Sequence, residues 1–260
     1  MGLLSRLLGW RAAPAVESDD AVMAKALAAY EAGSHQVALA LWRPLAERGH
    51  ARACNNLGGL YSYGRGVPPD VQEAARWIRR AAEAGDAVGQ TNYAFLCYEG
   101  NGVAQDFAAA LAWYRRAAEA GEPAAQDMLS FMLLEGLGTA KDPAESRLWA
   151  EKAADGGVAS AMTRMGMFYH EALDVKRDPF AAVEWWQRAA AAGDGEGQAM
   201  LGAAYHMGRG VARDDVAALK WLLRAERRGE DRAKLFLPRV RAALTPEQIA
   251  QAEAMAREEE

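Results

Sequence analysis

Residues 53–85 read ACNNLGGLYSYGRGVPPDVQEAARWIRRAAEAG, and this stretch holds one complete structural unit of the chain. In its second half Ala74, Trp77, Ile78, Ala81 and Ala82 fall at i, i+3, i+4, i+7 and i+8, which is one face of an α-helix. Asp70 opens that helix as an N-cap and Gly85 closes it. The first half, from Ala53 through Leu57-Gly58 to Tyr61, is apolar or small at helical spacing and ends at Gly64-Arg65-Gly66-Val67. One unit is therefore helix A, a glycine loop, helix B and a short glycine turn, an αα-hairpin.

The same unit returns every 36 residues. Trp77, Trp113, Trp149, Trp185 and Trp221 share one frame with Asp70, Asp106, Asp142, Asp178 and Asp214, and with Gly85, Gly121, Gly157, Gly193 and Gly229. Recurrence at a fixed period means copies of one hairpin stacked on each other, each burying its apolar face on its neighbours. The tryptophans lie on the buried stripe and are expected in the core, so that removing Trp149 should cost more than removing Trp221 near the end of the array. Gly58, Ala94, Ser130, Gly166 and Gly202 share a slot where only small residues stand, which predicts close approach of the two helices. The fourth copy departs in its loop, HEALDVKRD, where Ala172 and Asp174 replace the glycines; a loop of another shape at the same length is expected there.

The N-terminal flank is a related but shorter unit, and the C-terminal one reads differently. Residues 20–50 read as a hairpin with a shortened loop that caps the array, and residues 231–260 as capping helices, with Thr245-Pro246-Glu247-Gln248 in a capping-box pattern. The expected organisation is a tail at 1–19, the capping hairpin at 20–50, repeats at 51–86, 87–122, 123–158, 159–194 and 195–230, and the cap at 231–260. In the tail Leu3, Leu4, Leu7 and Leu8 share one side of a short helix, which could dock on the first hairpin, a partner or a membrane surface.

The repeated residues, from Ala53, Leu57-Gly58 and Tyr61 through the Gly64-x-Gly66 pair to Asp70, Trp77 and Gly85, resemble the Sel-one-like repeat (SLR), a branch of the tetratricopeptide-repeat (TPR) superfamily. The resemblance covers residues 51–229. It implies an all-α fold, a right-handed αα-hairpin superhelix, and a protein-binding scaffold or adaptor in a bacterial signalling, envelope or stress pathway. Some cysteine-rich relatives are linked to β-lactam binding or hydrolysis, the alternative reading, but their regular cysteine pairs are absent here. A self-associating structural subunit is a third reading.

Composition narrows the function further. A net charge of −5 gives no clustered, uncompensated positive charge for phosphate backbones, so nucleic acid is excluded as the main partner. Cys54 and Cys97 are not repeat-equivalent and read as small buried apolar residues rather than a disulfide framework. No apolar run is long enough for a membrane span, Arg6 splits the opening MGLLSRLLGW, and a cytoplasmic location is expected, with envelope association as the alternative. The sequence contains no nucleophile elbow, phosphate loop or metal-ligand cluster. His170-Glu171 begins like a zinc helix, but Asp174 stands where the second His would be. No catalytic residue, cofactor or metal is expected.

Two surfaces remain. By resemblance to TPR-like solenoids, helix A lines a groove. One slot of it carries Gly59, Phe95, Phe131, Met167 and Ala203, and a second Ser62, Tyr98, Leu134, His170 and His206. A third carries Asn55, Thr91, Asp127, Thr163 and Ala199. Asn55, Thr91, Phe95, Tyr98, Asp127, Phe131, Leu134, Met167, His170 and His206 are the candidate contacts for a protein or peptide. The other surface is the row Arg80, Arg116, Lys152, Arg188 and Arg224, whose charge complements the C-terminal ends of the B helices.

Overall fold

The structure, a computed structural model, describes residues 17–257. The leucines of the N-terminal tail lie outside them. Among the described residues there are fourteen α-helices and no strand. They are α1 (Asp19–Glu31), α2 (His35–Glu47), α3 (Ala51–Tyr63), α4 (Val71–Glu83), α5 (Ala87–Glu99), α6 (Phe107–Glu119) and α7 (Pro123–Glu135). There follow α8 (Pro143–Asp155), α9 (Ala159–Glu171), α10 (Pro179–Ala191), α11 (Gly195–Met207), α12 (Asp215–Arg227), α13 (Asp231–Ala242) and α14 (Pro246–Arg257). The fold is the all-α array of αα-hairpins that the repeat implies. No described helix is long and apolar enough to cross a membrane.

Local chemistry sets the boundaries of these helices. Asp70, Asp106, Asp142, Asp178 and Asp214 each accept a backbone N–H of the first turn of their B helix, as N-cap side chains do. Gly85 follows α4 at φ +87°, a conformation a side chain would resist.

The described chain divides into two compact units. One runs to Tyr93 and takes in Asn101–Ala104; the other comprises Ala94–Gly100 and the chain from Gln105 onward. In the first, α1 packs on α2, α2 on α3 and α3 on α4 around Trp42, Leu45, Leu57, Leu60 and Trp77. Cys54 and Cys97 are both buried. In the second, the hairpins α7/α8, α9/α10 and α11/α12 follow one another, each B helix packing on the next A helix, and α12 is covered by α13 and α14.

In the first, fourth and fifth hairpins the small slot of helix A faces the residue after the repeated tryptophan. A Cβ built at Gly58 would lie 2.4 Å from Ile78 Cγ1, one at Gly202 2.7 Å from Leu222 Cγ, and one at Gly166 2.2 Å from Trp186 Nε1. In the third repeat the facing residue is only Ala150, and the slot accommodates Ser130, whose carbonyl accepts the Ser146 hydroxyl at 2.7 Å.

This packing corrects the reading of the tryptophans. Trp77 is buried, but Trp113, Trp149, Trp185 and Trp221 are half-buried; the fully enclosed slot is the next one, Tyr114, Ala150, Trp186 and Leu222. Burial pushes the Tyr114 hydroxyl above its ordinary pKa. The cation row explains what shields the indoles. Arg80 lies 4.6 Å from the centroid of Trp77, Arg116 4.5 Å from Trp113, Lys152 4.1 Å from Trp149, Arg188 4.1 Å from Trp185 and Arg224 5.2 Å from Trp221. Each is a cation–π contact three residues along one helix, in addition to the dipole effect.

The fourth-repeat loop is a second correction. Ala172 (φ 60°) and Asp174 (φ 57°) take the left-handed conformation of their counterparts Gly208 (62°) and Gly210 (71°). The backbone bonds match as well: Leu173 N to Phe168 O and Asp178 N to Tyr169 O, both 3.0 Å, against Arg209 N to Ala204 O and Asp214 N to Tyr205 O, both 3.1 Å. The flanking helices impose the same loop on a sequence that lacks its glycines.

Candidate functional site

The helix-A residues must be taken unit by unit. Asn55 and Thr91 belong to the first unit, and the other eight candidates to the second. Asn55 Oδ1 accepts from Asn92 Nδ2 at 2.8 Å, and the Thr91 hydroxyl donates to its own helix at the Ala87 carbonyl (2.9 Å). Both side chains are engaged inside the protein.

In the second unit the slot of Asn55 is again consumed internally. Asp127 pairs with Arg164 and accepts the Ser160 hydroxyl at 2.8 Å, with only 13% of its side chain accessible. Thr163 and Ala199 are buried. The Thr163 hydroxyl donates to Asp194 at 2.6 Å while its carbonyl accepts the Trp186 indole at 3.3 Å. Asp194 also caps α11 through Gly197 N, so this row ties one repeat to the next. The physical reason is position: four residues before the aromatic slot, the chain faces the neighbouring hairpin.

The aromatic slot behaves differently. Phe95 is 49% exposed, Phe131 and Met167 are half-buried, and Ala203 is buried. The Arg164 guanidinium lies 5.9 Å from the Phe131 centroid, so the arginine that neutralises Asp127 also flanks the ring. Tyr98 meets Phe107 edge-on at 5.3 Å, and Leu134 leans on the core of the third and fourth repeats.

The two histidines differ in environment. His206 Nδ1 lies 2.5 Å from Asp215 Oδ1, and Arg213 donates to Asp215 Oδ2 at 2.8 Å. Burial works against that carboxylate's charge, but the bonds from His206 and Arg213 outweigh it and hold its pKa below the ordinary value. Among the described residues no carboxylate pairs with His170; its ring centroid lies 5.3 Å from that of Trp186. Burial lowers its pKa, Arg177 and Arg209 add to the effect, and Glu171 opposes it.

His170 also lines a pocket of about 160 Å³ with Pro179, Trp186, Met200, Ala203, Ala204, Met207, Arg209 and Phe236. The A helices α9, α11 and α13 pack side by side here. The sequence reading missed most of this lining. Met200 stands in a helix-A slot that other copies fill with Asn92, Met128 or Arg164, so no pattern singles it out, and Phe236 lies beyond the periodic frame. Among the described residues no cluster of His, Cys, Asp or Glu could hold a metal ion.

Comparison with curated proteins finds no match. Among solved structures, a Sel1 repeat protein from Oxalobacter formigenes is similar at 29% identity and a TM-score of 0.82, covering 94% of this chain and 99% of that one. A protective antigen of uropathogenic Escherichia coli strains that displays an SLR fold is similar at 28% identity and a TM-score of 0.80, covering 92% of this chain and 52% of that one. The Sel1 repeat itself matches at residues 51–86, 87–122, 123–158, 159–194 and 195–230, and the chain belongs to the Sel1 repeat family.

Proposed function

We propose that the chain is a non-enzymatic protein-binding scaffold or adaptor in a bacterial signalling, envelope or stress pathway, and that its contact surface is the helix-A row of the second unit. The observation that carries this reading is Phe95, an aromatic side chain 49% exposed on a helix whose Leu96 and Cys97 are buried. Leaving half of such a ring in water forgoes roughly 1 kcal/mol of burial. Phe131 and Met167 repeat the slot half-buried, and aromatic and thioether groups on a rigid frame are the side chains that interface cores favour. Proteins of this repeat family typically serve as interaction scaffolds, which supports the same reading.

Phe95, Tyr98, Phe131, Leu134, Met167 and His170 would meet the partner directly, while Asp127 and His206 act through the bonds that hold the surface in place. Truncating Phe95 to alanine should weaken capture of the partner by about 2 kcal/mol, as at an aromatic hot spot, with the melting temperature almost unchanged. A pull-down with the intact chain, Phe95→Ala and a helix-B control, Arg116→Ala, reads this out. Loss of capture with the control and not with Phe95→Ala would move the partner to the B helices.

A further inference from the structure

The fourth and fifth repeats differ at one position that changes what their histidines can bind. In the fifth repeat Asp215, the first residue of α12, takes His206 at 2.5 Å and Arg213 at 2.8 Å on its two carboxylate oxygens. One period earlier the same two donors recur as His170 and Arg177, but Pro179 stands where the carboxylate should be. The loop between them has the same backbone bonds and the same left-handed residues in both repeats, so the donors are carried by equivalent frames. Pro179 forms part of the pocket wall beside His170 and Arg209. Neither Arg177 nor Arg209 has an ion-pair partner among the described residues. Glu171 is an acidic neighbour of His170, and the two arginines outweigh it.

The rest of the pocket is apolar, walled by Trp186, Met200, Met207 and Phe236. Its volume of about 160 Å³ is close to that of an apolar protein cavity known to admit a benzene ring. An aromatic side chain therefore fits, and a carboxylate beside it would meet donors that lack one.

We propose that this pocket binds a peptide through an aromatic side chain seated between Trp186, Met200 and Phe236, with an adjacent carboxylate taking on His170, Arg177 and Arg209 the place that Asp215 fills in the fifth repeat. The proposal rests on the protein-binding reading above but on other residues, so the two can fail separately: loss of Phe95-dependent capture leaves this pocket untouched, and the reverse also holds. The carboxylate could come from a chain terminus or from an acidic side chain next to the aromatic residue.

The test is an NMR titration of the full chain, following the Trp186 indole and the His170 ring. The probes are N-acetyl-phenylalanine, N-acetyl-phenylalaninamide and N-acetyl-glutamyl-phenylalaninamide. Both acids should shift the two reporters saturably and bind about tenfold more tightly than the neutral amide, the margin expected of a charge-assisted contact. Whichever acid binds better names the source of the carboxylate. Pro179→Asp, which supplies the carboxylate internally as repeat five does, should remove that preference, and Arg177→Gln should reduce it, both leaving the melting temperature nearly unchanged. Equal affinity for acid and amide, no saturable shift at Trp186, or an undiminished preference in Pro179→Asp would overturn the proposal. So would a concentration-dependent dimer, abolished by Arg177→Gln without any probe, because the pocket would then belong to a second copy.

Discussion

At the scale of single residues, the repeat is held by a size exchange between two slots. Trp186 is 2% exposed, lies against Gly166 and donates its indole N–H to the Thr163 carbonyl. Trp149 is half-buried under Lys152, with its N–H on Glu145 at 3.1 Å. Trp186→Ala should therefore cost about 3–5 kcal/mol by leaving a cavity, and Trp149→Ala distinctly less, because part of its ring already faces solvent. Thermal or urea melts of the two variants decide the order. The periodic tryptophan was the loudest signal in the sequence, yet the deeper position is its neighbour. Ile78, Tyr114, Ala150, Trp186 and Leu222 vary too much to stand out by repetition, even where Ile78, Trp186 and Leu222 all lie against a glycine.

At the scale of elements, caps and helix starts were legible because each depends on a local bond: all five aspartates accept first-turn amides. The fourth loop was misread because its conformation is set from outside. Ala172 and Asp174 are held left-handed by the bonds to Phe168 and Tyr169, against their own preference. Ala172→Gly should stabilise the protein by about 1 kcal/mol, the strain an L-residue carries there. Asp174→Gly should gain less, since it gives up the Arg147 contact at 3.3 Å. Equal and negative effects on the melting temperature would mean that this loop is not strained. The candidate groove was legible in part for a similar reason. Repeat arithmetic finds residues that share a slot, such as Phe95, Phe131 and Met167. It does not show that Thr163 turns inward to Asp194, or that Phe236 from outside the frame completes a pocket.

At the scale of the whole molecule, neighbouring hairpins of the second unit are also tied by charge. Arg115 on α6 grips Glu145 on α8, one of its bonds measuring 3.1 Å, and this hydrogen bond holds the Glu145 carboxyl below its ordinary pKa against the effect of burial. A depressed carboxylate contributes stability that is complete above its unfolded pKa, about 4.3, and is lost as the pH falls through the lower folded value. Glu145→Gln should thus cost roughly 0.5–1 kcal/mol at neutral pH, and the gap to the intact protein should close in acid below that point. Urea melts at several pH values check it, and a gap that persists in strong acid would assign the effect to packing. The central claim is that the partner lies on the helix-A row. A photo-crosslinking residue placed in turn at Phe95, Phe131 and the helix-B residue Arg116 tests it most directly, in cells producing the full chain. The account predicts one crosslinked species of the same mass from Phe95 and Phe131 and none from Arg116; crosslinks at Arg116 alone would contradict it.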